Sequence, residues 1–234
     1  MAADYFSKRK KKVLLVDLDQ QSSATLFLKL NHKFEPEMPF FQSILNGDLS
    51  TSLCHVAENL DIIPGDVGMT RFDEFAFKLS SRDRFNVLEK LLKPFKDKYD
   101  YIILDVPPSR GPIVSNAVLA TDYVVLVVQA QRGSYDMFLK SIGYLSELQQ
   151  EYSSKHILIG IALYLVSKGS VTEKKISKEI KNKFNGILDH QIYYSERVKT
   201  WSDKGITHSN NINDKHTHKM YDDFFEEIVK RIEA

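Results

Sequence analysis

The chain holds a single cysteine, Cys54, in 234 residues. One cysteine excludes an internal disulfide and fits a reducing compartment, so a cytoplasmic location is expected. Cys54 itself reads as a small buried hydrophobe. A charge excess is also lacking: 32 Lys and Arg stand against 31 Asp and Glu, a formal net charge of +1. No global field draws the chain to nucleic acid or to an acidic surface, and any electrostatic footprint has to be local. No apolar run approaches the ~20 residues of a membrane span. The first residues, Met1 to Lys12, carry their charges after a very short apolar piece, the reverse of a secretory signal. Internal repeats and linker-like stretches are absent too, so residues 1–234 are expected to form one domain. Ser and Cys lack the partners of nucleophilic catalysis. His208, His216 and His218 have no Cys or paired carboxylate nearby to complete a zinc set.

What the sequence does contain is an alternation of apolar strands and amphipathic helices. Val13 to Val16 is a branched apolar run without period-2 alternation, which predicts a strand buried on both faces. Leu60–Ile63, Tyr101–Leu104, Tyr123–Val128 and Ile157–Val166 repeat the pattern, and Ile187–Leu188 is a short last candidate. Helical spacing lies between them. A first short helix spans 1–10, and Ser22 or Ser23 is placed to cap a helix bearing Ala24, Leu26, Phe27 and Leu30. Phe40 to Leu45 is helical and stops at Asn46-Gly47. Further helices are expected over 67–79, 83–93, 113–120, 135–151, 172–184 and 215–233. Residues 199–214 read as an irregular surface loop. No adjacent strands show a hairpin turn. The expectation is an α/β fold, a mostly parallel sheet with helices on both faces.

Two of these strands end in aspartate. The first runs into Asp17-Leu18-Asp19 and the one from Tyr101 into Asp105-Val106-Pro107-Pro108. Open α/β sheets bind ligands at the carboxyl ends of their strands. A carboxylate buried there costs free energy unless it is paired or holds a cation. Three converging carboxylates suit a hard cation such as Mg²⁺, with one Asp left to orient an attacking water. The alternative is that each Asp merely caps the next helix or turn.

These residues carry a resemblance. Lys12-Val13-Leu14-Leu15-Val16-Asp17-Leu18-Asp19-Gln20-Gln21 resembles the segment after the first helix of the ParA/MinD-type partition ATPases, a deviant-Walker group of P-loop proteins. Tyr99 to Ser109 resembles their Walker B strand and following loop, and Asn116 to Gln129 and Asn59 to Gly65 extend the match. It covers about residues 1–165, and the ParA/Soj branch fits better than MinD: the last helix carries Asp222, Asp223, Glu226 and Glu227 where membrane targeting prefers a basic face. The resemblance implies a three-layer P-loop fold, with ATP and Mg²⁺ as cofactors. It implies water activation by Asp19 with Asp17 beside it at the nucleotide edge, Mg²⁺ at Asp105, and a γ-phosphate loop shaped by Pro107 and Pro108. It also implies an ATP-dependent homodimer that binds non-specific DNA and is released through a centromere-binding partner, with no membrane attachment.

One family feature is missing from the sequence. No G-x-x-x-x-G-K-[ST] occurs, and Gly65-Asp66-Val67-Gly68 has the wrong spacing and no lysine. The resemblance places the phosphate loop and the first strand before Met1, so these residues are expected to bind ATP very weakly, to hydrolyse it negligibly, and to form an aggregation-prone sheet. An alternative reading is a non-catalytic DNA- or partner-binding remnant. For DNA, the span from Lys168 to Lys183 holds six lysines (Lys168, Lys174, Lys175, Lys178, Lys181, Lys183) against two glutamates, with Arg197 and Lys199 following. Phosphate contacts need only positive charge on one surface; the competing reading is a solvated helix face.

Overall fold

A computed structural model describes residues 1–234 apart from Lys168 and the side chain of Ser202. The chain divides into two compact units, 1–120 with 203–205 and 121–202 with 206–234. Each contains its own sheet.

The first unit contains α1 (Ala2–Lys8), β1 (Val13–Asp17), α2 (Ser23–Lys29), α3 (Phe40–Asn46), β2 (Cys54–Ala57), β3 (Leu60–Ile63), α4 (Phe72–Lys78), α5 (Val87–Leu92), β4 (Tyr101–Asp105) and α6 (Pro112–Ala120). Its strand order is β2-β3-β1-β4. β1 pairs in parallel with β3 on one side and β4 on the other. That central position explains its unbroken apolar run, and all five of its residues are buried. Alternation splits the sheet's two faces. Leu14 and Val16 join a core with Phe40, Ile44, Phe72, Leu88, Leu92 and Ile113. On the opposite face α1 packs on β1, β3 and β4, with the Phe6 ring stacked 4.0 Å from that of Tyr101. Cys54 is buried and reduced.

One expectation fails here. A hairpin does exist: β2 runs antiparallel to β3 through Glu58-Asn59. Asn59 adopts a left-handed φ of 61°, a turn conformation that Asn tolerates without Gly. Leu26 in α2 and Leu30 just after it are 60% and 46% exposed.

The second unit contains β5 (Tyr123–Gln129), α7 (Arg132–Tyr152), β6 (Ile157–Val166), α8 (Val171–Lys183), β7 (Ile192–Tyr193), all but the last two residues of α9 (Glu196–Lys204), and α10 (Ile212–Glu233). The order is β5-β6-β7, all parallel. α7 and α8 cover one face through Phe138, Ile176 and Ile180. α10 covers the other, where the hydroxyls of Tyr164 and Tyr221 lie 3.3 Å apart. Helices therefore sit on both faces of each sheet, as the alternation of elements predicts.

The last strand is not Ile187–Leu188. Ile187 makes one isolated bridge to Ile161, and β7 forms five residues later. Residues 199–214 are irregular only over 205–211, and α10 begins at Ile212. α9 occupies their first part, and Trp201, 2% exposed, donates from Nε1 to Thr207 Oγ1 at 2.8 Å. A buried indole needs such a partner, which ties the segment down.

Both sheets end in an apolar strand. β4 is the edge of the first, and β5, Tyr-Val-Val-Leu-Val-Val-Gln, is the edge of the second. Val127 is 63% exposed and Tyr123 38%. β5 carries no charge or proline of the kind that blunts natural edges, and β4 carries only Asp105 at its end, so each is a template for pairing with another strand. Val127→Lys is expected to lower concentration-dependent self-association, read by light scattering, with unchanged far-UV circular dichroism. Undiminished association in that variant removes β5 as its route.

Candidate active site at the carboxyl edge of the first sheet

The ends of β1 and β4 bring two of the three aspartates together. Asp17 and Asp105 are partners in the parallel register, and the Leu18 N–H donates to the Asp105 carbonyl at 2.9 Å. Alternation aims both side chains to the α1 face. The two nevertheless differ in surroundings.

Asp17 is completely buried, and both of its oxygens are engaged. Oδ2 accepts the Thr25 N–H at 2.9 Å and the Thr25 hydroxyl at 2.7 Å. Oδ1 accepts the Asp19 N–H at 3.2 Å. Burial raises its pKa, and the bonds from Thr25 and Asp19 partly offset the rise. The carboxylate thus serves an N–H in the first turn of α2. Ser22, at the N-cap, has a left-handed φ of 53° and makes no side-chain cap, so neither serine does the capping expected of it. Thr25 in turn accepts the Gly65 N–H at 2.9 Å on Oγ1. A Cβ on Gly65 would come within 2.9 Å of Asp17 Cγ and of Ser22 Oγ. Only glycine lets β3's exit pass this close to the carboxylate.

Asp19 lies in the turn beyond, half-buried. Its Oδ1 accepts the Gln21 N–H at 3.0 Å, and its carbonyl accepts the Ser22 N–H at 2.8 Å. Among the described residues no group donates to its second oxygen. Asp105 keeps an open face to solvent. The protein packed beneath it, and then the negative charges of Asp17 and Asp19, push its carboxyl up to about 6, with the Met1 amine drawing it the other way. Pro107 is half-buried and Pro108 exposed in the connection to α6. The far end of that connection is held by Asp73, whose Oδ1 accepts the Ile113 N–H at 3.1 Å.

The donor set fits a hard divalent cation. Asp105 and Asp19 offer free carboxylate oxygens, and a raised pKa marks a site where a positive charge relieves repulsion. Asp17 is less suited as a ligand, because it is buried and both of its oxygens already accept bonds inside the protein. Its bond from the Asp19 N–H holds the start of the turn that carries Asp19.

A family model described as an AAA domain, AAA_31, matches residues 1–159. The chain belongs to this family, that of the ParA/MinD-type partition ATPases. Among its relatives is the sporulation initiation inhibitor protein Soj of Bacillus subtilis, 27% identical over 176 residues, or 74% of this chain and 68% of that protein. The ATP complex of a Cyanothece McdA variant superimposes with a TM-score of 0.81 at 22% identity, covering 96% of this chain and 88% of that one. A candidate plasmid partition protein from Borrelia burgdorferi B31, bound to AMPPNP, gives a TM-score of 0.73 at 22% identity over 97% and 92% of the two chains. At these identities the two structures establish the shared fold.

The lysines proposed for DNA separate into two groups. Lys174 and Lys178 fall one turn apart on α8, with Lys175 and Lys181 beside them, and all four are exposed. Lys199 is exposed on α9, and Lys168 lies outside the described residues. Arg197 is half-buried and paired within the protein. Its Nε lies 2.7 Å from Asp214 Oδ1, and Asp214 is fully buried. Burial alone would raise the Asp214 pKa. Bonds from Ser209 and Thr207 and the charge of Arg197 outweigh it and hold the carboxyl down to about 2. A cation neutralising a buried carboxylate cannot leave it for a phosphate without stranding that charge.

Sequence reasoning missed Thr25 and Gly65. The available signals were the Pro64-Gly65 stop directly after a strand and the Ser-Ser-Ala-Thr run after Asp19.

The Asp105 shift gives a signed expectation. A folded pKa near 6 means that the stability this carboxyl allows is complete below its ordinary value of 3.8 and is lost as pH rises through about 6. Asp105→Asn should therefore raise Tm at pH 8 and change it little at pH 4, as followed by thermal denaturation. An equal shift at both pH values refutes the electrostatic account.

Proposed function

We propose that this chain acts in an ATP-dependent partition system, with the edge of β1 and β4 forming the carboxylate side of a nucleotide site. The observation that carries this reading is the pairing in register of Asp17 with Asp105, with the half-buried Asp19 held beside them. Asp105 would hold Mg²⁺, with water and phosphate oxygens completing its shell. Bound ATP-Mg²⁺ would supply the phosphoryl group and the charge neutralisation for its transfer to water. Asp19 would accept a proton from, or orient, the attacking water, and Asp17 would fix the turn that carries Asp19. Pro107 and Pro108 would stiffen the loop that reads the γ-phosphate side.

The remaining parts of the proposal follow the family. Both units together would make one ParA-like domain that dimerises around ATP in the cytoplasm, associates with the nucleoid, and is released through a centromere-binding partner. Non-specific DNA would lie along Lys174, Lys175 and Lys178, joined by Lys199. Positive charge on one helix face suffices for phosphate contact without base readout.

In a polypeptide that joins a Lys-Gly-Gly-x-Gly-Lys-Thr loop and its strand ahead of residue 1, Asp19→Ala should lower kcat by about 10²–10⁴-fold, the range for loss of a general base. Unchanged hydrolysis removes Asp19 from the mechanism. Changing Lys174, Lys175 and Lys178 together to Glu should weaken binding to random-sequence DNA uniformly. The slope of log affinity against log salt should flatten by roughly three, about one for each phosphate that no longer meets a lysine. An unaltered slope takes α8 out of the interface.

A further inference from the structure

Asp105 leads into a connection, residues 106–111, that ends where α6 begins. The sheet fixes its near end: Asp105 pairs in register with Asp17, and the Asp105 carbonyl accepts the Leu18 N–H. Pro107 and Pro108 have no N–H to donate, so fewer backbone bonds are available to hold the middle. The course of the connection then depends on its far end.

That end is capped from another helix. The Ser115 N–H donates to the Gly111 carbonyl at 3.0 Å, the first bond of α6, which places Gly111 at the N-cap and Pro112 at the first helical position. Glycine brings no side-chain acceptor for the open N–H groups of that turn. Asp73, in the first turn of α4, supplies one, since its Oδ1 accepts the Ile113 N–H at 3.1 Å. Its Oδ2 fills the space of the missing side chain, 2.6 Å from where a Cβ on Gly111 would stand. Gly111 does not adopt a left-handed φ, so this carboxylate and not the backbone conformation bars a side chain there. Burial raises the Asp73 pKa, and the bond from Ile113 partly offsets the rise. α6 is in turn fixed to α5. Asn116 is completely buried, accepts the Val87 and Leu88 N–H groups on Oδ1 at 2.9 and 3.2 Å, and donates from Nδ2 to the carbonyls of Arg84 and Pro112, both at 2.8 Å. Side-chain caps thus join α4, α5 and α6 into one block, and Asp73 ties the connection to it.

We propose that Asp73 is a positioning residue for the phosphate-side loop: by capping α6 in place of Gly111, it sets where Pro107 and Pro108 stand relative to Asp105. The inference rests on the nucleotide reading above and deepens it. A loop held at both ends presents its proline pair in one place. Released at Asp73 it samples others, and a displacement of ~1 Å at a reacting site can cost about 10²-fold in rate.

Trypsin reads the loop in the chain as it stands, because Arg110 is exposed within it. Asp73→Ala should speed cleavage after Arg110 roughly fivefold, the effect of one lost cap read through local opening, with cleavage in the second unit unchanged. Adding Gly111→Asp to that variant moves the carboxylate to the N-cap, where its Cβ no longer meets Asp73, and should return cleavage to the parent rate. In the polypeptide completed with a phosphate loop, Asp73→Ala should lower kcat at least about tenfold at unchanged KM for ATP, and the double variant should recover it. Unaltered cleavage after Arg110, an equal rise in the second unit, no recovery in the double variant, or full kcat in Asp73→Ala beside an active parent overturns the proposal. An inactive parent overturns the nucleotide reading, and the cleavage comparison still decides whether Asp73 holds the loop.

Discussion

The Asp17 carboxylate is fully withdrawn from solvent, and the edge of the first sheet is arranged around replacing that water. An unpaired buried carboxylate costs several kcal/mol. Three donors stand in for the missing hydration: the N–H and hydroxyl of Thr25 and the N–H of Asp19. Each hydrogen bond to a charged group contributes about 1.5–3 kcal/mol, so the set is of the size needed to offset burial. The bonds also have a geometric effect. They tie β1 to the first turn of α2, tie that turn to Gly65 after β3, and set the direction in which Asp19 leaves the strand. A single side chain thereby links three successive pieces of chain at one end of the sheet.

Asp105 sits at the same register and answers to a different physics. Desolvation by the protein packed beneath it, and then the like charges of Asp17 and Asp19, hold its proton to about 6. Two carboxylates one strand apart are thus divided into a structural anion and an available one. Such division of paired carboxylates by environment is the usual way a site obtains distinct roles from one residue type. Arg197 and Asp214 show the same logic in the second unit. Once a charge is buried, its partner is committed to neutralising it.

The edges of the two sheets impose a further constraint. β1 is flanked on both sides and tolerates an all-apolar sequence because every face and hydrogen-bonding edge is covered. β4 and β5 have comparably apolar sequences but only one paired neighbour each. Apolar strands with free hydrogen-bonding edges are stable only when something covers them or when they associate. The chemistry of each edge accordingly calls for another strand.

Strand and helix identity was largely legible in the amino-acid sequence, because continuous branched apolar runs and 3.6-residue spacing report burial directly. The runs at Val13, Leu60, Tyr101, Tyr123 and Ile157 all became strands, and Asp17, Asp19 and Asp105 stood out as carboxylates at strand ends. The family was legible as well, since its motifs are local. Local patterns were silent wherever the outcome depended on a distant partner. Cys54–Ala57 pairs because β3 lies beside it, and Ile192–Tyr193 pairs because β6 does. Trp201 is buried by contacts that its polar neighbours do not announce. The roles of the charged groups were decided only in three dimensions. Asp17 became a structural anion because Thr25 and Gly65 come to it from eight and 48 positions away along the chain. Arg197 became an internal counterion because folding brings Asp214 within 2.7 Å. Periodicity encodes which side of an element faces the core; the state and purpose of a charge depend on what stands within a few ångströms, and that is a property of the tertiary structure alone.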